Sequence, residues 1–280
     1  MSLWLPVAPC TPGECAYHED ALRPPIAAAG LLVAGIAVTL LGALCVPAAL
    51  LLRQHHRDRL IRRWAYTVVR AFGVRVRVTG DAVPPARAPT GELVVANHVS
   101  WLDIPLLAAV LPARMLAKSE IRSWPLLGPL AALGGTLFIE RDRLRALPDT
   151  VRRLAGALGA GSRVAVFPEG STWCGRGPGG RFRPAAFQAA VDAAAPVRPV
   201  RIAYRTSGSQ GAAGAVAFVG DDPLAASLWR VVTAAGLTAE IHVLPRISAA
   251  GEPGRRALAR RAQSAVANES ANLPPSSVHH

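Results

Sequence analysis

The sequence predicts an α/β protein in which a mixed sheet is flanked by helices and preceded by an N-terminal membrane helix. Residues 26–52 contain no charged residue, and from residue 73 onward short apolar runs alternate with longer helix-like stretches. The first observation is typical of a membrane helix and the second of an α/β domain. We expect an N-terminal tail at 1–25, a membrane anchor at 26–52, one globular domain at 53–268 and a mobile tail at 269–280.

The apolar segment 26–52 is long enough to cross a membrane. As a helix its 27 residues would reach ~40 Å, against a hydrocarbon core of ~30 Å. Glu14, Glu19 and Asp20 precede it, whereas a cleaved secretory signal begins with basic residues and has a shorter apolar core. We therefore expect a retained anchor. Pro47 lies within it, so the segment either spans with a kink or forms shorter helices that dip into one leaflet.

A basic segment follows the anchor. Residues 53–77 carry eight arginines against the single acid Asp58. The positive-inside rule then places the domain in the cytoplasm and residues 1–25 outside, with Trp64 and Tyr66 as anchors at the membrane interface. A solvated helix face is the alternative. The net charge of +13 does not indicate nucleic-acid binding, because Lys118 is the only lysine and no binding module is recognisable.

The four cysteines divide by predicted side of the membrane. Cys10 and Cys15 would lie outside, Cys45 in the anchor and Cys174 inside. Cys10 and Cys15 either form a disulfide in an oxidising compartment or remain free thiols. The spacing matches no zinc-binding pattern, so we expect no metal site.

The domain is predicted element by element from hydrophobic periodicity and from glycine and proline positions. The predicted strands are 73–79, 92–96, 114–118, 136–139, 163–167, 197–204, 213–219 and 239–244. The predicted helices are 120–133, which contains prolines, 143–158, 223–235 and 255–267.

A histidine and an aspartate follow the second predicted strand. In the run Asn97-His98-Val99-Ser100-Trp101-Leu102-Asp103, a helix that starts with Ser100 as N-cap turns Asp103 back towards His98. A carboxylate on one imidazole nitrogen fixes the tautomer and leaves the other nitrogen free to take a proton from an alcohol. Taken alone, the pair favours a structural role, in which Asp103 stabilises the helix N-terminus and His98 binds a loop carbonyl.

Two further strand ends carry charged residues. The run from Gly135 to Arg141 ends a predicted strand on an arginine, and Phe167-Pro168-Glu169-Gly170 ends another on an acid. The motifs N-H-x4-D, G-x-x-F-I-x-R and F-P-E-G, followed by Pro199-Val200, resemble those of the PlsC-type glycerolipid acyltransferase family. The resemblance covers about residues 60–245.

The resemblance implies an enzyme of phospholipid biosynthesis at the cell membrane, with its domain on the cytoplasmic face. His98 would be the general base, oriented by Asp103. The acceptor of the enzyme would be a lysophospholipid, and 1-acylglycerol-3-phosphate is the first choice. The acyl donor would be acyl-CoA or acyl carrier protein. The resemblance implies neither a covalent acyl-enzyme nor a cofactor. The implied substrate-binding residues are Arg141, which would bind the acceptor phosphate, together with Glu169, Gly170, Ser171 and Thr172.

The sequence departs from the family after F-P-E-G. Many members continue with Thr-Arg-Ser, whereas this chain has Ser171-Thr172-Trp173. Either Arg176, Arg181 or Arg183 replaces the missing cation, or the acceptor is another lyso-lipid, such as lyso-ornithine lipid. A membrane-anchored serine hydrolase that uses Ser171 or Ser100 is disfavoured because no G-x-S-x-G motif is present. A lipid-binding module without catalysis is the third hypothesis.

Overall fold

The computed structural model of the chain describes residues 8–17, 21–81, 91–124, 127–140, 143–177, 179–207 and 214–272. In these ranges the helices are α1 (Pro12–Cys15), α2 (Pro25–Leu50), α3 (Gln54–Ala71), α4 (Asp103–Val110), α5 (Leu127–Leu133), α6 (Leu147–Gly159), α7 (Ala185–Asp192), α8 (Leu224–Thr233) and α9 (Arg255–Asn272). The strands are β1 (Arg75–Gly80), β2 (Glu92–Ala96), β3 (Arg114–Lys118), β4 (Leu137–Ile139), β5 (Arg163–Val166), β6 (Val197–Arg205) and β7 (Thr238–Val243).

The seven described strands form one mixed sheet in the order β1-β7-β6-β2-β5-β3-β4. Neighbouring strands run parallel, except that β6 and β7 are antiparallel. The predicted fold class is therefore confirmed. Seven of the eight predicted strands occur, and their ends differ from the predicted ends by at most two residues.

Strand β2 lies at the centre of the sheet, and all of its residues are buried. Because side chains alternate along a strand, Val94 and Ala96 join the core formed with α3, α4 and α8, whereas Leu93 and Val95 join the core formed with α6, α7 and α9. Burial on both faces explains the continuous apolar run. The parallel strands β2 and β5 end side by side, so the residues that follow them meet at one edge.

A buried ion network that the sequence analysis did not predict occupies the other end of these strands. Glu92 accepts hydrogen bonds from Nε of Arg163 at 2.9 Å, Arg198 at 2.8 Å and Arg246 at 2.7 Å. Burial opposes ionisation of Glu92, but the hydrogen bonds from Arg246 and Arg198 outweigh it and lower its pKa. The network joins β2, β5 and β6 at the beginning of each strand.

Helices α2 and α3 pack as an antiparallel pair. The ring of Phe72 lies against Gly35 and the indole of Trp64 against Gly42, where any larger residue would clash. The indole Nε1 of Trp64 donates to the Val38 carbonyl at 2.9 Å. Trp64 thus lies between the two helices, and its role as an anchor at the membrane interface stays a prediction. The glycine spacing of seven residues was the sequence signal for this contact.

The segment that precedes α2 lies on the globular domain. The backbone N–H of Arg23 donates to the carbonyl of Thr233 at 2.8 Å. The guanidinium of Arg23 donates to two further backbone carbonyls of the domain, those of Val232 and Gly73. Closer to the N-terminus, the guanidinium of Arg176 donates to the carbonyls of Glu14 and Tyr17. A helix that crossed the membrane once would separate these partners.

The predicted separation of the cysteines is therefore wrong. The sulfur atoms of Cys10, Cys15 and Cys174 lie within 4.8 Å of one another. In the described chain α2 alone is long and apolar enough to cross a membrane. It continues through Pro47, and both ends of the α2–α3 pair return to the same domain.

Three other predicted elements differ in the structure. The described part of the predicted strand 213–219 forms only a short 3-10 turn, Gly214–Val216, and its apolar residues are buried as a loop instead. The predicted helix 120–133 is a 3-10 turn, Ser119–Ser123, and the separate helix α5. Helix α9 continues to Asn272, beyond its predicted end, while residues 273–280 lie outside the described ranges.

Candidate active site

His98 and Asp103 lie together at the C-terminal end of β2. Nδ1 of His98 is 2.8 Å from Oδ2 of Asp103. The predicted helix start at Ser100 is wrong, since α4 begins at Asp103 itself. Oδ2 also accepts the backbone N–H groups of Val99 at 2.7 Å and Ser100 at 2.9 Å. The carboxylate thus folds back over the turn before the helix and holds both that turn and the imidazole.

Tyr204 on β6 supplies the remaining hydrogen bond to Asp103. Its hydroxyl donates to Oδ1 at 2.6 Å, and both side chains are buried. Burial, together with the charge of Asp103, raises the pKa of Tyr204 well above its usual value, so the phenol remains a donor. Four donors therefore satisfy a carboxylate that would be costly to bury unpaired. Tyr204 was not among the predicted site residues, because nothing local distinguishes one tyrosine in a strand.

The imidazole of His98 is fixed on its face as well as at its edge. It stacks on Phe167, with ring centroids 3.9 Å apart and an interplanar angle of 11°. Because Nδ1 faces a carboxylate, the ring proton lies there and Nε2 keeps its lone pair. The His98 side chain is 18% exposed and lines a cavity. Its free nitrogen is therefore available to a bound molecule.

Glu169 holds the backbone around the histidine. One carboxylate oxygen accepts the N–H of His98 at 2.9 Å, and the other accepts the N–H of Gly180 at 3.0 Å. The pKa of Glu169 is raised to about 7. Burial is the largest cause; the hydrogen bonds from the backbone of His98 and Gly180 act against it, and the charge of Asp103 adds to it. Gly179 has a φ of +70°, and a Cβ there would lie 2.6 Å from the carboxylate, so glycine permits this close wrapping of the loop.

The cavity beside His98 has a volume of about 140 Å³. Its wall includes Glu169, Trp173, Arg201 and Arg205. The two arginines belong to β6 and were not among the predicted site residues. Their position close behind the Pro199-Val200 block was the only signal for them in the sequence.

The fourth motif lies next to the first. Pro199 and Val200 pair with the last two residues of β2. The amide of Asn97 donates to the Ile202 carbonyl and accepts the N–H of Ile202, both at 2.8 Å. Asn97, which directly precedes His98, is therefore fixed to β6 by its own side chain.

The remaining predicted site residues occupy different places. Gly170 adopts a φ of +78° in the turn after Glu169. The hydroxyl of Thr172 donates to the carbonyl of Phe218, and the hydroxyl of Ser171 is buried. Neither of these two residues lines the cavity. Arg141 lies outside the described residues.

The arginines that were candidates to replace the missing cation do not line the cavity. Arg176 is directed at the N-terminal segment, while Arg181 and Arg183 are exposed. Trp173 lines the cavity, and its backbone N–H donates to the carbonyl of His98 at 2.7 Å. The arginine in the Thr-Arg-Ser run of many family members corresponds to Thr172, which does not line the cavity, and Trp173 corresponds to the serine of that run.

Comparisons with known proteins agree with this geometry. Residues 75–203 match the family model described as Acyltransferase. A lyso-ornithine lipid O-acyltransferase of Pseudomonas aeruginosa is 41% identical over 214 residues, which cover 75% of this chain and 78% of that protein. A 1-acyl-sn-glycerol-3-phosphate acyltransferase of Neisseria meningitidis serogroup B is 38% identical over 213 residues, covering 75% of this chain and 80% of that protein.

A solved structure shows the same fold. The crystal structure of the 1-acyl-sn-glycerophosphate acyltransferase PlsC from Thermotoga maritima superposes with a TM-score of 0.68 at 20% identity, covering 89% of this chain and 95% of that chain. These relatives set aside the serine hydrolase and the lipid-binding module. In the described structure Ser100 is fully buried, and the Ser171 hydroxyl has no hydrogen-bond partner. The chain belongs to the PlsC-type acyltransferase family and is an O-acyltransferase of lipid metabolism.

Proposed function

We propose that this enzyme transfers a fatty acyl chain from acyl-CoA or acyl carrier protein to the hydroxyl of a lysophospholipid, with His98 as the general base. The observation that carries the proposal is the hydrogen bond between Nδ1 of His98 and Asp103, which leaves Nε2 free beside the cavity.

In the proposed reaction the acceptor hydroxyl loses its proton to Nε2 of His98 while its oxygen attacks the thioester carbonyl. Asp103 stabilises the imidazolium that forms, and Tyr204 holds the carboxylate in place. When the carbon–sulfur bond breaks, the imidazolium returns the proton to the thiolate that leaves. One ester forms, one thioester is consumed, and no acyl group is attached to the protein.

The variant His98→Ala tests the proposal. Loss of a positioned base typically costs ~10² to 10⁴ in rate, so kcat/KM should fall by about that factor while the protein stays folded. The control is His56→Ala, because His56 is exposed on α3. Activity close to that of the control, or a covalently acylated protein after incubation with donor alone, would contradict the mechanism.

The first candidate acceptor is 1-acylglycerol-3-phosphate, which would give phosphatidate. Arg201 and Arg205 in the cavity wall support a phosphate-bearing acceptor, because guanidinium groups form paired hydrogen bonds with phosphate. The predicted phosphate ligand Arg141 would act with them.

Lyso-ornithine lipid is the second candidate. It is favoured by Thr172, which stands where many family members carry an arginine, and by the relative from Pseudomonas aeruginosa. Parallel assays with the two purified acceptors, each with acyl-CoA and with acyl carrier protein, would identify acceptor and donor together. A kcat/KM for the lyso-aminolipid that exceeds that for 1-acylglycerol-3-phosphate would overturn the first choice.

We also propose that the α2–α3 pair binds the cytoplasmic leaflet without crossing it. Helix α2 exposes large apolar side chains, among them Leu41 and Leu44, and α3 beside it is rich in arginine. An apolar helix in the leaflet and guanidinium groups at anionic headgroups are mutually consistent. Glutamate at both leucines should release the protein from membranes, whereas Val78→Glu on the exposed edge of β1 should not. Tags on the two chain ends that report opposite sides would contradict this arrangement.

A further inference from the structure

Two cysteines near the N-terminus and one from the catalytic domain form a cluster beside the active site. Cys10 precedes the short helix α1, Cys15 is the last residue of that helix, and Cys174 lies in the loop that follows Glu169. Their sulfur atoms all lie within 4.8 Å of one another. Cys174 is buried, and the other two are partly buried. We call these three residues the thiol cluster.

The surroundings hold the thiol cluster in place independently of the sulfurs. Its apolar wall is formed by Ala217 and Val219, both buried. The guanidinium of Arg176 donates to the carbonyls of Glu14 and Tyr17, so that the N-terminal segment is fastened to the loop bearing Cys174. The cluster therefore lies where the N-terminal segment packs against the loop bearing Cys174.

The distances suit coordination of one ion. Thiolates bound to Zn²⁺ at ~2.3 Å lie about 3.8 Å apart at tetrahedral angles, so small side-chain rotations would bring the three sulfurs onto one ion. A disulfide would instead require ~2.05 Å between two sulfurs and would leave the third unused. In the described chain no other His, Cys or carboxylate atom joins the group, which leaves a fourth position for water.

A guanidinium lies close to the cluster. The backbone N–H of Arg176 donates to the sulfur of Cys174, and the guanidinium of the same residue lies on the N-terminal segment. Three thiolates on a divalent ion carry one net negative charge, which a neighbouring guanidinium offsets.

We propose that Cys10, Cys15 and Cys174 bind one thiophilic divalent metal ion, Zn²⁺ in the first instance. The ion would connect the segment before α2 to the loop that follows Glu169. Cys174 lies between Trp173 and Gly175, which both line the cavity, and Trp173 is hydrogen-bonded to the His98 carbonyl. The bound ion would fix one wall of the active site relative to α2.

The test uses the full chain purified in detergent, reduced, stripped of metal with a chelator, and loaded with Zn²⁺. Bound zinc is measured by inductively coupled plasma mass spectrometry after desalting. We expect one zinc per chain in the parent protein. The matched control is Cys45→Ser, since Cys45 is exposed on α2 and outside the cluster; it should also bind one zinc.

Serine at Cys10, Cys15 or Cys174 should weaken zinc binding by more than the roughly 10–100-fold that loss of an outer-shell partner costs. Co²⁺ in place of zinc should give thiolate-to-metal charge-transfer absorption that each of these variants loses. Circular dichroism and acyl transfer by Cys10→Ser and Cys15→Ser separate loss of metal from loss of folding, should Cys174→Ser not fold.

Two results would overturn the proposal. One is zinc binding by the parent protein no stronger than that of the three serine variants. The other is a disulfide between two of the three cysteines, found by peptide mapping of protein whose thiols were blocked at lysis. Either result is independent of the assignment of His98 as the base.

Discussion

Glu169→Gln should remove an unusual pH dependence of stability. Glu169 is 4% exposed, and burial raises its pKa to about 7, whereas the free carboxyl titrates at 4.5. Because the pKa is higher in the folded chain, the folded state holds this proton more tightly than the unfolded state. The resulting stabilisation is complete below about pH 4.5 and is lost as the pH rises through about 7.

The size of the effect follows from the two pKa values. A rise from 4.5 to about 7 corresponds to about 3 kcal/mol of unfolding free energy. For a domain of this size that amounts to ~6–12 °C in Tm. Glutamine is neutral at every pH, so the Tm of the parent protein minus that of Glu169→Gln should fall by this amount between pH 4.5 and 8. A pH-independent change in Tm caused by an altered hydrogen bond does not affect this comparison, because only the change of the Tm difference with pH is used.

The measurement is thermal unfolding in detergent at several pH values, with Glu140→Gln as control. The side chain of Glu140 is 49% exposed, so that variant should follow the parent protein. A Tm difference for Glu169→Gln that is constant over the window, or that grows with pH, would refute the argument from burial.

Three further predictions concern the buried contacts. Tyr204→Phe removes one donor to Asp103, which should cost about 1.5–3 kcal/mol of unfolding free energy and lower kcat more than it changes KM; an unchanged kcat would exclude a positioning role. Glu92→Gln leaves the buried arginines without their carboxylate, so unfolding curves should show a loss of about 3–5 kcal/mol, and a loss below 1 kcal/mol would contradict it. Gly179→Ala and Gly177→Ala both place alanine at positive φ, at about 1–2 kcal/mol each, but only the first meets the Glu169 carboxylate. Steady-state kinetics should therefore show a lower kcat for Gly179→Ala alone.

The sequence by itself determined the strands and the reaction class. The runs at 93–96 and 164–167 are apolar because both faces of the central strands are buried, and that burial is what the pattern records. His98 and Asp103 lie within one turn, so their contact is local and the motif predicts it. These features depend on neighbours in the chain, which periodicity and spacing can report.

Contacts between distant residues were decided only by the tertiary structure. Tyr204 meets Asp103 across 101 positions, and Glu92 meets Arg246 across 154. The same holds for the thiol cluster, which joins residues predicted to lie on opposite sides of a membrane. The apolar composition of α2 indicates affinity for lipid, but its topology depends on where its two ends are bound. Hydrogen bonds of Arg23 and Arg176 to backbone carbonyls hold the segment before α2 on the globular domain, and backbone carbonyls leave no mark in an amino-acid sequence.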